Sequence, residues 1–238
     1  MGHSRPVRTA VKRAAKKRGW KGRLMRWALL ALAAFYLFFG FLLLMLRWVD
    51  PWTTSVQMQR RVESWGSKKK YEKRYRFVEL RRISRHLQHA VIAAEDGRFY
   101  THRGFDWEQI QQVLEEELEK GRLRGASTIT QQTVKNLFFT LRGSFVRKAA
   151  EAAVVPVAET VLSKDRILEL YLNTAEWGPG VFGAEEAARY HYGVSAAQVS
   201  REQASRLAAV LPSPLRWRPA RMDRYAGIIQ ERMRQMGW

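Results

Sequence analysis

VRKAAEAAVVPVAETVLSKDRILELYLN, residues 146–173, decides the fold class. Val146–Leu162 reads as one long apolar helix, bent at Pro156, whose ring nitrogen cannot donate to the preceding turn. Ser163 then supplies a hydroxyl in the capping position for a second helix over Lys164–Asn173. The same reading extends outward. Upstream, Leu87–Asp96 is helical with Val91, Ile92 and Ala94 inside. Asp106 caps a helix running to about Lys120, with Gln109 in the third position, and Ser127 caps another that ends at Phe139. Downstream, Ala184–Tyr192 ends at Gly193, and Ser200-Arg201-Glu202-Gln203 forms a capping box whose helix runs to Leu211 and stops at Pro212. Met222–Met236 is the last helix. Few stretches alternate as strands do, so the expected fold is mainly α.

The chain has 238 residues, with 42 Lys+Arg against 22 Asp+Glu, a formal charge of +20. At 46% apolar and 12% aromatic it is too rich in core formers for a disordered basic protein. It contains no cysteine, which excludes disulfides, thiolate metal sites and thiol nucleophiles. A charge of this size points to anionic partners.

Hydrophobicity is concentrated at one place. From Trp27 to Leu46 run twenty residues without a charge. At about 1.5 Å per residue such a helix matches a bilayer core. It has no polar stripe, and Arg47-Trp48-Val49-Asp50-Pro51 follows instead of a small-residue cleavage site, so it reads as an uncleaved anchor. Trp27 and Trp48 bracket it as interfacial aromatics do. Residues 12–26 hold eight Lys/Arg and residues 47–61 hold three, which places the N-terminus in the cytoplasm. Residues 1–26 carry ten Lys/Arg and no acid; without them the rest retains +10, much of it at 60–85 and including Lys68, Lys69 and Lys70. Outer-leaflet phosphates suit these charges better than nucleic acid, which is not an expected partner. The expected organisation is a basic cytoplasmic tail (1–26), a transmembrane helix (27–46), a basic and mostly extended membrane-proximal linker (47–84), and an outer helical domain (85–238).

Three clusters can carry chemistry. In Glu95-Asp96-Gly97-Arg98-Phe99-Tyr100-Thr101-His102-Arg103-Gly104-Phe105-Asp106, Glu95 follows apolar residues at a helix end. Partial desolvation there raises a carboxyl's pKa and makes it a usable base. Ordinary helix-end charges, and a structural His102, fit the same residues. In Arg147-Lys148-Ala149-Ala150-Glu151, both cations lie one helical turn from Glu151 at the edge of an apolar run, an arrangement suited to a phosphorylated group or to a simple ion pair. In Gly125-Ala126-Ser127-Thr128-Ile129-Thr130-Gln131-Gln132-Thr133-Val134-Lys135-Asn136, a polar helix start offers free N–H donors, with Lys135 two turns on; a solvated helix has the same pattern.

Read together, these segments resemble glycosyltransferase family 51, the peptidoglycan glycosyltransferases. EDGRFYTHRGFD looks like its E-D-x-x-F-x-x-H-x-G-x-D signature, and GASTITQQTVKN, RKAAE, ILELYLN and AEWGPGVFGAEEAARYHYG through EQASRLAAVLPSP follow in the family's order over about residues 85–220. The length has room for no transpeptidase domain, so the chain resembles the monofunctional biosynthetic transglycosylases, and GPGVFG and WRP resemble the Gram-negative members. The resemblance implies a lysozyme-like, mainly α domain on a bacterial inner membrane, with the catalytic domain in the periplasm. It implies polymerisation of lipid II, the lipid-linked glycan being donor and the 4-hydroxyl of the incoming disaccharide acceptor, with inversion at the anomeric carbon. It makes Glu95 the general base and Glu151 the second catalytic glutamate. It assigns substrate contacts to Asp96, Phe99, His102, Ser127, Thr128, Gln131, Gln132, Lys135, Asn136, Arg147 and Lys148. Partners implied are lipid II, the membrane, and cell-wall synthesis or division proteins. Diphosphate chemistry admits Mg2+ or Mn2+ with the substrate, but no carboxylate cage is visible and no metal ligand is assigned. Departures are Pro156, Ala150 and Tyr190-His191-Tyr192. Two rival readings are a peptidoglycan-cleaving enzyme on the same fold and a non-catalytic scaffold for anionic polymer. A further expectation is that Phe138 or Phe139, with Leu141 and beside Arg142, dips into the outer leaflet.

Overall fold

The computed structural model describes residues 7–66, 71–120, 125, 127–141 and 143–238, with side chains of 7–19 and 117–120 left aside. Lys68, Lys69, Lys70, Ala126 and Arg142 lie outside the described residues. The helices are α1 (Val7–Leu46), α2 (Ser55–Ser64), α3 (Arg85–Glu95), α4 (Trp107–Lys120), α5 (Ile129–Phe138), α6 (Phe145–Val161), α7 (Lys164–Thr174), α8 (Ala184–Tyr192), α9 (Arg201–Ala208) and α10 (Asp223–Gln235). Three short strands, β1 (Arg74–Tyr75), β2 (Glu176–Gly178) and β3 (Val181–Phe182), form one sheet in the order β1-β3-β2.

The chain divides after Leu42. In the first unit, α1 is apolar enough to cross a membrane from Trp20 to Leu46, 27 residues in all. Trp27, Leu29, Leu30, Leu37, Phe38 and Phe41 stand exposed around it, as a helix solvated by lipid requires.

The second unit has its own core. α3 packs against α9 and α10, while α5 lies against α6 and α7. The fully buried side chains include Leu87, Ile92, Phe99, Ile129, Ile167, Leu168, Leu170, Tyr171, Trp177 and Phe182. Caps set the helix starts: the Ser163 hydroxyl accepts from the Arg166 N–H (3.2 Å), and Gly193 closes α8 at φ +69°. α6 runs through Pro156 without a break in its helical assignment. The cap of α5 is Thr128, one residue beyond the expected Ser127; Thr128 accepts from the Gln131 N–H, and the Gln131 side chain accepts from the Thr128 N–H (2.9 Å).

The stretch 47–84 is not the expected extended link. α2 buries Val56 and Gln57 and packs against α5, and β1 pairs in parallel with β3. Arg60 of α2 donates from Nε (3.0 Å) and Nη2 (2.9 Å) to Glu176 of β2, and the Gln59 side chain accepts from the Leu141 N–H (2.6 Å). Tertiary partners, not local sequence, order this region.

Candidate active site

Glu95 is the last residue of α3, at the floor of a cleft whose opposite wall is the start of α5. Its Oε2 accepts a hydrogen bond from Gln132 Nε2 at 2.7 Å. Gln132 is in turn fixed by the Tyr171 hydroxyl, which donates to Gln132 Oε1 at 3.2 Å. Glu95 is half-buried, and the protein packed around it pushes its carboxyl above the usual carboxylate range. The Gln132 hydrogen bond and the Lys135 charge oppose this shift without cancelling it, and the Asp96 charge adds to it. Such a carboxylate is a stronger base than one in water.

The next residue holds the turn. Asp96 is buried and accepts from His102 Nε2 (2.8 Å) and from the Ile129 N–H at the start of α5 (3.0 Å). The Gly104 N–H donates to His102 Nδ1 (3.1 Å), so Nε2 carries the ring proton and the imidazole is a brace between Asp96 and Gly104. Gly104 sits at φ +86°, and a Cβ there would stand 2.5 Å from Val155 Cγ1, which ties this turn to α6. Ligand atoms of Asp96, His102 and Asp106 lie within 4.8 Å of one another. The first two are committed to each other, however, and Asp106 is bound by Arg98 and by the Gln109 N–H (2.9 Å), so this group is a built brace and not an open cation cage.

α6 supplies the cations. Glu151 is 1% exposed, with Arg147 Nη1 at 2.6 Å from one oxygen and Lys148 Nζ at 2.7 Å from the other. The carboxylate thereby fixes two cations one turn apart. Arg147 Nε has no partner among the described residues, and Lys148 is half exposed. The Lys135 ammonium on α5 makes no hydrogen bond or ion pair with a described residue. Burial lowers its pKa, against the opposing pull of Glu151 and Glu95, so it stands within electrostatic reach of both carboxylates. A base on one side and three cations on the other suit a reaction that deprotonates a hydroxyl and expels a diphosphate.

The expected contact residues therefore divide. Ser127, Gln132, Lys135, Arg147 and Lys148 keep surface in the cleft or beside it. Asp96, Phe99, Thr128, Gln131 and Asn136 are buried, and His102 is nearly so, so the fold sets these six behind the more exposed residues of the site. Phe99 packs against the Lys164 ammonium, 4.6 Å from the ring centre. Phe138, Phe139 and Leu141 are all half-buried. Beyond them, Phe145 and Val146 at the start of α6 are far more exposed. Tyr171 was not among the expected residues; it lies within ILELYLN, where its role requires the fold to bring α7 under Gln132. Tyr171→Phe should move the acid limb of the pH–rate profile upward, because Gln132 then holds Glu95 less firmly, and should slow the reaction by less than about tenfold. An unmoved profile would leave Tyr171 a packing residue.

A profile of the family described as Transglycosylase matches residues 61–236. Curated relatives are similar over most of their length. The biosynthetic peptidoglycan transglycosylase of Ectopseudomonas mendocina is 45% identical over 219 residues, 90% of this chain and 88% of the relative. The protein of the same name from Pseudomonas entomophila is 48% identical over 198 residues, 82% and 84% of the two chains. That of Pseudomonas aeruginosa is 47% identical over 200 residues, 82% and 86%.

Proposed function

The chain belongs to the transglycosylase family and is a peptidoglycan glycosyltransferase of cell wall synthesis, and on that premise we propose that it polymerises lipid II with Glu95 as the base. Glu95 takes the proton of the 4-hydroxyl of the incoming disaccharide. The freed oxygen attacks the anomeric carbon of the lipid-linked glycan, the glycosidic bond forms with inversion, and the bond to undecaprenyl diphosphate breaks. Lys135, Arg147 and Lys148 neutralise the departing diphosphate, and Glu151 holds two of them in place. A divalent cation such as Mg2+ or Mn2+ would enter with that diphosphate and add to the same neutralisation.

The observation that carries this reading is the asymmetry of the carboxylates. Glu95 is open to the cleft. Glu151 is enclosed by cations and Asp96 by its brace, so neither is a free acid of the kind that a glycan-cleaving enzyme sets opposite its base. A diphosphate needs charge neutralisation on leaving, and an added general acid is not required. Polymer made from labelled lipid II should be cut completely by a muramidase specific for β linkages; resistant polymer would contradict inversion.

We further propose that α1 spans the bacterial inner membrane with the N-terminus in the cytoplasm and the catalytic unit outside. The Lys/Arg excess before the span supports this orientation. Trp52, Phe145 and Val146, at 84%, 89% and 78% exposed, give the catalytic unit apolar contacts for the interface where a polyprenyl substrate resides.

A further inference from the structure

Arg166, in the first turn of α7, directs its guanidinium at main chain remote in sequence. Its Nε donates to the Leu46 carbonyl at 2.8 Å and its Nη2 to the Val49 carbonyl at 3.0 Å. Nη2 also pairs with Asp50 (2.9 Å), Nη1 donates to Glu169 one turn on, and the group sits over the Phe77 ring, 5.4 Å from its centre. The carbonyls that follow are held as well. Pro51 accepts from the Tyr75 hydroxyl and Trp52 from Lys73 Nζ (3.4 Å). All of these residues belong to the second unit, in which Leu43 is fully buried. The side chains of Trp48, Val49 and Trp52 meanwhile stand exposed. The contacts therefore grip the backbone and leave the side chains of the stretch free.

Leu46 is the last residue of α1, so its carbonyl is one of those that no helical N–H can reach. A cation there also meets the negative end of the helix dipole. Where a helix leaves hydrocarbon an unpaired carbonyl is costly, and a planar guanidinium serves two carbonyls in one fixed geometry, as an ammonium does not. The same helix reaches the site. Tyr171, five residues and about 7.5 Å further along α7, donates to Gln132, which holds Glu95. Asn173 accepts from the Val78 N–H and donates to the Val78 carbonyl, both at 2.9 Å, which pins the segment carrying Phe77 to α7. One rigid element thus joins the exit of the apolar helix to the partner of the base. We propose that Arg166 is a positioning residue: by clasping main chain 46–52 to α7, it fixes the depth at which the cleft meets the membrane surface where the lipid-linked substrate lies. The proposal rests on the polymerase reading and on the placement of α1 in the membrane, and it makes the helix exit part of the reaction apparatus and not a tether.

The test gives the full chain lipid II in two surroundings: phospholipid vesicles, whose plane is fixed, and detergent mixed micelles, which close around anchor and substrate alike. Arg166→Gln leaves one amide to serve both carbonyls. It should slow turnover about tenfold in vesicles and less than about twofold in micelles. Tyr75→Phe, a milder change that removes only the hydroxyl on Pro51, should show the same selective loss at smaller size. In vesicles, trypsin should cut after Arg47 faster in Arg166→Gln than in the unaltered chain, read by mass spectrometry as the fragment that begins at Trp48. Equal losses in vesicles and micelles in both variants would make the clasp a folding contact and overturn the proposal. So would vesicle turnover by Arg166→Gln within about twofold of the unaltered chain, or an unchanged rate of cleavage at Arg47. An unaltered chain that makes no glycan in micelles would contradict the polymerase reading instead, and one that does not float with vesicles would contradict the membrane placement.

Discussion

Glu95→Gln should reduce glycan synthesis by about 10²–10⁴-fold, the usual contribution of a positioned general base. Gln is close to Glu in shape, and its amide oxygen can still accept from Gln132 Nε2, so the geometry of the cleft should survive. The stability of the variant gives an independent check. Burial raises the carboxyl's pKa in the folded chain, so the folded state binds a proton more readily there than the unfolded state does. The contribution of Glu95 to stability is therefore most favourable below the ordinary glutamate value and declines as pH rises from that value through the raised one. Above the ordinary glutamate value burial of this carboxyl costs stability, so at neutral pH Glu95→Gln should melt at the same temperature as the parent or higher. For the parent enzyme, activity should fall on acidification with a limb above the ordinary glutamate range.

Removing the charge of Arg147 and Lys148 should have the next largest effect. Hydrogen bonds to charged groups are worth about 1.5–3 kcal/mol each, so losing both cations should lower kcat/KM for lipid II by about 10²-fold or more. The choice of substitution matters. Glu151 is buried and both of its oxygens are held by these two residues, so double replacement by Ala would strand a buried carboxylate, at a cost of about 3–5 kcal/mol in folding. Arg147→Gln with Lys148→Gln keeps a donor for each Glu151 oxygen and takes away only charge. We expect that variant to lose turnover with a much smaller drop in melting temperature than the double Ala. Parallel loss of activity and stability in both variants would make the cluster a structural ion pair.

Helix starts with a hydroxyl or carboxylate cap were legible because the signal is local: the Ser163 and Asp106 side-chain oxygens each accept from an N–H of the turn they begin. The start of α5 was off by one, since Ser127 and Thr128 are equivalent as caps and only the Gln131 side chain distinguishes them. Residues 47–84 were not legible. Two-residue strands carry no periodicity, and α2 presents Met58 and Val62 to the outside while burying Val56, so its pattern does not announce a core face. Within the site, motif residues could be found but not sorted. Glu95 and Phe99 stand four positions apart, yet one faces the cleft and the other is sealed beneath it. Burial decides between contact and support, and burial is a property of the packed chain. Tyr171 lies within ILELYLN, yet its partner Gln132 is remote in sequence, so only the packed chain shows what it holds.

The central claim is that an open base beside a fixed set of cations makes this chain a polymerase and not a glycan-cleaving enzyme. The most direct test is to incubate the detergent-solubilised full chain with labelled lipid II and resolve the products on a gel, with preformed glycan as a second substrate. The predicted result is a ladder of long glycan from lipid II, absent in Glu95→Gln, with the preformed glycan left at its original length. Shortening of the preformed glycan with no ladder from lipid II would contradict it.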